Sequence, residues 1–297
     1  MSTFTAPQAT GRPEPAAPPE RTARPRPTVT AVASWLVAGL FTAVLLAVLG
    51  SVLVAALGSA WGGTWLPSGW TLHWFRQAWN TPGLADSLSV TFQVAVADVL
   101  LALAIGVPAG YILARKSFPG RSAVMLFLLF PAILPPLTYA VQLAALMYRI
   151  GLGGTLTAVV LVNLVPILPL VILVTVPFVE QISPDVENAA RVFGADNLRL
   201  FLRVLVPLLM PGIVAAGVLS LVRVLGSFEL TFFVSSAKTQ TLVVTIFGAM
   251  ADPGGPPAAL TAAMTVFYMA IALIGLAVSL RFSNPAQALS GRAHGAA

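Results

Sequence analysis

Six apolar stretches dominate the hydrophobic pattern, at about residues 31–57, 88–114, 123–147, 156–179, 208–234 and 258–280. Each has roughly the 20 residues that a helix needs to cross about 30 Å of hydrocarbon. The pattern predicts an all-α polytopic membrane protein with six transmembrane helices. The third stretch carries Pro131, Pro135 and Pro136, and the fourth carries Pro166, Pro169 and Pro177. Proline lacks the backbone N–H and frees a carbonyl that a neighbouring helix or a wet cavity must satisfy. Two readings of these helices stay open at this stage: walls of a translocation path, or kinked helices with a packing role.

Composition sharpens the picture. Charged residues are 9% of the 297, against roughly 25% in soluble domains, and the mean hydropathy is +0.91. A chain so poor in charge cannot cover a water-facing surface and is solvated by lipid. Its positive charges fall on one side. With the N-terminus inside, the inner segments hold Arg12, Arg21, Arg24, Arg26, Arg115, Lys116, Arg121, Arg191, Arg199, Arg203, Arg281 and Arg292. The outer loops hold Arg76, Arg149 and Lys238, and Arg223 lies within the fifth stretch. This asymmetry places both termini in the cytoplasm. It accounts for the net charge of +6 without nucleic acid as a partner. With no cysteine and two histidines, His73 and His294, far apart in sequence, a thiolate metal site or a Ser-His-Asp triad is not expected.

Domain organisation follows from these shifts. Residues 1–30, rich in proline and arginine, read as a disordered cytoplasmic tail. Residues 31–86 hold the first transmembrane helix and an outer loop, and the run from 31 is too long for a signal-peptide core. Residues 87–281 form the main bundle with an inner loop at 180–206, and 282–297 form a cytoplasmic tail. The outer loop carries Trp61, Trp65, Trp70, Trp74 and Trp79, which suits an interfacial aromatic belt better than a ligand-stacking site.

The inner loop is the one long polar segment and reads as a helix. Ser183 is placed to cap it, Pro184 suits its first position, and Asp185 and Glu187 favour its positive end. Ala189, Ala190 and Phe193, with Leu198, make a small apolar face, and Gly194 ends or bends the helix. A second short helix over 197–204 is expected to lead to Pro207. Small residues supply little area for lipid anchoring, so the face suits docking on a protein.

Here the sequence resembles a known family. Asn188-Ala189-Ala190, three residues, Gly194, nine residues, Val204-Leu205-Val206-Pro207 is similar to the EAA signature of binding-protein-dependent ABC permeases of the MetI-like type. Asn188 stands where that signature has Glu, with Glu187 one residue earlier. The resemblance extends over about residues 87–280 and includes Ser227-Phe228-Glu229 and Thr239-Gln240-Thr241-Leu242. Within the family it looks most like permeases for polyamines such as spermidine and putrescine, followed by those for ferric iron or phosphonates.

The resemblance implies the permease of a type I importer in the bacterial inner membrane. The inner loop, with Glu187, Asn188, Ala189, Ala190, Gly194, Val204 and Pro207, would couple to a dimer of ABC ATPase subunits. A second permease is implied, with a heterodimer preferred over a homodimer, as is an extracytoplasmic solute-binding protein. The chain has no Walker loop, and its only lysines are Lys116 and Lys238, so it binds no ATP itself. ATP is used by the partner, and no cofactor is expected on this chain.

Ionisable groups within spans tend to line pathways or pair with each other. Asp98, Arg223 and Glu229 qualify, with Gln142 and Asn163 as uncharged companions on a candidate solute path. The alternative is an internal ion pair, for example Arg223 with Asp98. Glu229 would suit a cationic solute and Arg223 an anion. An ion-gradient-driven secondary transporter is the competing function, although it leaves the inner-loop spacing unexplained. A membrane enzyme lacks candidate catalytic groups.

Overall fold

The computed structural model describes residues 29–61 and 66–282. The expected tails therefore lie outside the described residues, save for their innermost positions, and so does Trp65. The chain divides after Val48 into two compact units. The described part of the first is the N-terminal portion of α1 (Val29–Leu57), an apolar helix. The second unit holds the end of α1 and ten further helices among the described residues. They are α2 (His73–Trp79), α3 (Leu84–Arg115), α4 (Arg121–Ile133), α5 (Pro136–Arg149) and α6 (Leu156–Glu180). After them come α7 (Pro184–Val192), α8 (Asn197–Leu225), α9 (Glu229–Val234), α10 (Leu242–Ala251) and α11 (Ala258–Phe282).

Helices α1, α3, α6, α8 and α11 are each long and apolar enough to span the membrane, and α4 with α5 meets the same criterion only as a pair bent by 99°, the geometry of a broken span or of a re-entrant loop. The third stretch is thus two helices rather than one kinked rod. Leu134 and Pro135 are extended, with ψ of 136° and 129°. Each precedes a proline, and the clash with the following ring disfavours helical geometry at such positions. The fourth stretch behaves differently. α6 runs unbroken through Pro166, Pro169 and Pro177, with Pro166 and Pro169 buried. It starts at Thr155, whose hydroxyl accepts from the Ala158 N–H at 3.2 Å.

α6 is the centre of the bundle and packs on α3, α4, α8 and α9. Its contact with α3 depends on Gly106 and Gly110. A Cβ at Gly106 would lie 2.6 Å from Val171 Cγ1, and one at Gly110 2.9 Å from Thr175 Cβ. Small residues four apart let two spanning helices approach closely, and packing is what holds helices together where lipid is as apolar as the side chains.

The fifth stretch begins earlier than expected. Residues 197–204 are not a separate helix. They are the first turns of α8, where Leu200–Leu205 takes wider π turns before the regular helix resumes at Val206. Pro207 sits just inside that regular segment and does not mark its boundary. Wide turns accommodate a position with no N–H to donate. At its far end α8 stops at Leu225, and α9 starts after a break at residues 226–228.

The short helices α2 and α10 have no counterpart in the sequence reading, being too short to give a spanning signal. α10 is fastened to α3. The Thr91 hydroxyl accepts from the Leu242 N–H at 2.8 Å, and Ser87 and Thr245 share a hydrogen bond of 2.7 Å. The preceding loop is held by Ser236 and Thr239, whose hydroxyls donate to the Gly154 carbonyl at 2.8 and 3.0 Å.

Candidate functional site

At the inner end, α7 has the local structure its sequence dictates. The Ser183 hydroxyl accepts from the Asp185 N–H at 3.2 Å. The helix closes with Ala195 N–H donating to the Ala190 carbonyl and Gly194 N–H to that of Arg191, at 3.0 and 2.9 Å. Gly194 has φ 83°. This is a Schellman ending, which requires the left-handed region that glycine enters without penalty. A Cβ at Gly194 would meet nothing within 4 Å. The glycine therefore serves the turn that ends the helix, as the sequence suggested.

The polarity of α7 is inverted. Its one buried residue is the charged Glu187. Val192 and Phe193 at its end are 85% and 91% exposed, and Leu198 at the start of α8 is 66% exposed. Asn188 and Ala189 are exposed, Ala190 and Val204 are half-buried against the core, and Pro207 is exposed. Between α7 and α8 lies a shallow cleft of about 290 Å³ lined by Ala190, Phe193, Gly194, Arg199, Arg203 and Val204. An apolar tip flanked by arginines faces outward, while a carboxylate faces in.

Glu187 is fully engaged inside the chain. Its Oε1 accepts from Arg115 Nε at 2.6 Å and its Oε2 from the Tyr111 hydroxyl at 2.7 Å. Arg115 Nη2 also donates to the Ile182 carbonyl at 2.6 Å. Sequence reasoning passed over Tyr111 and counted Arg115 only as an inner positive charge. Their spacing of one helical turn ahead of the α3 terminus was the available signal.

The five polar residues expected along a solute path fall into two groups. Asp98 is fully buried in α3, and neither carboxylate oxygen has a hydrogen-bond partner. The pairing of Asp98 with Arg223 considered from the sequence does not form. Arg223 is exposed on the last turn of α8, whereas Asp98 points into the packed interior. Asn163 is likewise fully buried. It accepts from the Ser227 hydroxyl at 2.7 Å and donates to that of Thr231 at 3.3 Å, so it braces the α8–α9 break and lines no opening here.

Arg223, Glu229 and Gln142 form the second group. Arg223 and Glu229 flank the break, and the Tyr139 hydroxyl on α5 is within electrostatic reach of both but has no hydrogen-bond partner. Gln142, one turn further along α5, is exposed. Phe228, between the two charges, stacks against Phe232 and Phe247 at centroid distances of 5.3 and 4.7 Å. Tyr139 was missed from sequence because a tyrosine in an apolar run reads as ordinary span. No group of three metal-ligating side chains occurs among the described residues.

The apolar spans and the capped helix α7 describe a membrane-embedded helical bundle. The chain belongs to the family of binding-protein-dependent transport system inner membrane components, whose sequence profile matches residues 106–284. It is a multi-pass permease subunit of an ABC importer of the inner membrane. It is 32% identical over 212 residues to the sulfoquinovosyl glycerol transport system permease of Agrobacterium fabrum, covering 71% of this chain and 74% of that one. It is 30% identical over 223 residues to the molybdenum transport system permease of Haemophilus influenzae, covering 70% and 96%. A bacterial ABC transporter involved in alginate import shares the fold, with a TM-score of 0.70 at 17% identity over 85% of this chain and 96% of that one.

Proposed function

We propose that the α7 tip seats in a groove of a separate ATPase subunit, and that closure of an ATPase dimer drives alternating access in a pair of permeases that includes this chain. The observation that carries this reading is the inverted polarity of α7, which buries Glu187 and exposes Val192 and Phe193. Leaving large apolar side chains in water is unfavourable by about 1.5–3 kcal/mol each, and a partner groove removes that cost. ATP is consumed by the partner, and this chain needs no cofactor of its own.

An exposed arginine within a span does not face lipid. The face with Arg223, Glu229 and Gln142 therefore meets a second permease or the path between the two. A related but different permease is the preferred partner, because a homodimer would set two copies of Arg223 near one axis. An extracytoplasmic binding protein would deliver the solute.

The solute proposed is small and polar, with a negatively charged group. Arg223 is more exposed than Glu229, and the relatives reported above are named for sulfoquinovosyl glycerol and molybdenum. A phosphonate-like anion fits this reading. The polyamine-like solute and ferric iron implied by the resemblance would need Glu229 to dominate instead. The test is a binding screen on the cognate solute-binding protein, followed by uptake in proteoliposomes holding the assembled transporter. ATP-dependent uptake of an anionic solute is expected. Uptake of a polyamine would overturn the solute class, and uptake driven by an ion gradient without ATPase would overturn the mechanism.

A further inference from the structure

We infer that Glu187, Arg115 and Tyr111 form an internal strut that makes α7 move as one body with α3, carrying work from the α7 tip into the membrane core. The inference rests on the coupling reading above and assigns these three residues a positioning role within it.

The geometry is that of a fastening. α7 has nine residues, and Glu187 is the only one of them that is buried. Beside the half-buried Ala190, its attachment to the bundle is therefore the ionic one through Glu187. Both carboxylate oxygens are occupied, one by Arg115 and one by Tyr111, and the paired Arg115 and Glu187 side chains are 15% and 10% exposed. The same guanidinium holds the Ile182 carbonyl in the turn between α6 and α7. One arginine thus grips both the hinge and the helix beyond it. The Tyr111 ring meets Phe201 of the α8 π segment edge-on at 5.8 Å. Four elements converge on this cluster.

Rigidity upstream makes the cluster a transmitter. Arg115 ends α3, and about one and a half and two and a half turns earlier Gly110 and Gly106 press on α6 with no room for a methyl group. A displacement of α7 pulls on Arg115 and moves α3 with little slack. A shielded charge pair is also orientation-specific, because separating its partners leaves an uncompensated buried charge. Glu187 in this position cannot serve an ATPase groove. The neighbouring Asn188 is the exposed residue.

The experiment uses the whole transporter in nanodiscs: this chain, its partner permease, the ATPase and the binding protein. ATPase co-purification, ATP hydrolysis and solute moved per ATP are measured for Glu187→Gln and Tyr111→Phe. ATPase binding and hydrolysis are expected to persist. Solute per ATP should fall for Glu187→Gln by roughly 2- to 30-fold, the range for changes along a coupling route, and less for Tyr111→Phe. Arg115→Glu combined with Glu187→Arg should recover part of the loss. Arg121→Gln, which breaks the exposed Arg121–Glu180 bridge, should leave the ratio unchanged. A wild-type ratio in Glu187→Gln overturns the strut, and so does loss of ATPase co-purification, which would make Glu187 a partner contact. Should Glu187→Gln fail to fold, a wild-type ratio in Tyr111→Phe overturns it equally. Wild-type transport that needs no ATPase would instead refute the coupling reading itself.

Discussion

Ser227 donates its hydroxyl hydrogen to Asn163 Oδ1 at 2.7 Å, from the break between α8 and α9 to the first third of the central helix α6. The same amide donates to Thr231. One side chain on the rigid centre of the bundle thus fixes the interruption that separates Arg223 from Glu229. Asn163→Ala would leave two hydroxyls without their partner. The expected loss is about 1 kcal/mol, or about 2–4 °C in the unfolding midpoint of the purified chain in detergent. An unchanged midpoint would show that the brace contributes nothing.

Gly106→Val should prevent close contact of α3 with α6, because the first added carbon already lies 2.6 Å from Val171. Overpacking of this kind costs about 1–3 kcal/mol or more. Gly217→Ala is the control, since its Cβ would sit 3.5 Å from Leu103 Cδ1 in ordinary contact. Fluorescence-detected size exclusion of membrane extracts should show folded protein lost for the first and kept for the second.

Phe193→Asp tests the docking tip. With Phe193 91% exposed, the substitution should alter the chain's own stability by no more than about 0.5 kcal/mol. Co-purification of the ATPase should be lost. Retained ATPase binding would remove the α7 tip from the interface.

Arg223→Gln and Glu229→Gln address the polar face. Both should leave the assembly and its basal ATP hydrolysis intact, and Arg223→Gln should reduce uptake of an anionic solute more strongly. The opposite order, with Glu229→Gln the more damaging, would favour a cationic solute.

Asp98→Asn should keep transport and match or exceed the wild-type unfolding midpoint. A buried carboxyl group without a hydrogen-bond partner is a burden on the fold, and nothing packed around Asp98 pairs with it. Transport abolished in a well-folded Asp98→Asn protein would return Asp98 to the path.

Periodicity and charge made the spans and their sidedness legible, because lipid imposes long apolar helices and arginine and lysine collect on the inner side. The α7 cap and its Gly194 ending were legible for a local reason: Ser183, Pro184 and Gly194 act within one turn of their own backbone. The 99° bend between α4 and α5 was half legible. Three prolines announced a disturbance, yet Pro166, Pro169 and Pro177 announced the same for α6, which stays straight enough to form the core.

What each polar side chain does depended on the fold. Asp98, Asn163, Arg223 and Glu229 look alike in the sequence, as polar groups in apolar runs, and only packing separates two buried residues from two on an open face. The sequence by itself determined a membrane bundle with a capped inner helix, since those features follow from local hydrophobicity, capping and charge. Tertiary structure alone decided that Glu187 turns inward to Arg115 and Tyr111. That contact joins residues more than 70 positions apart, and no local rule specifies which distant cation a carboxylate will meet.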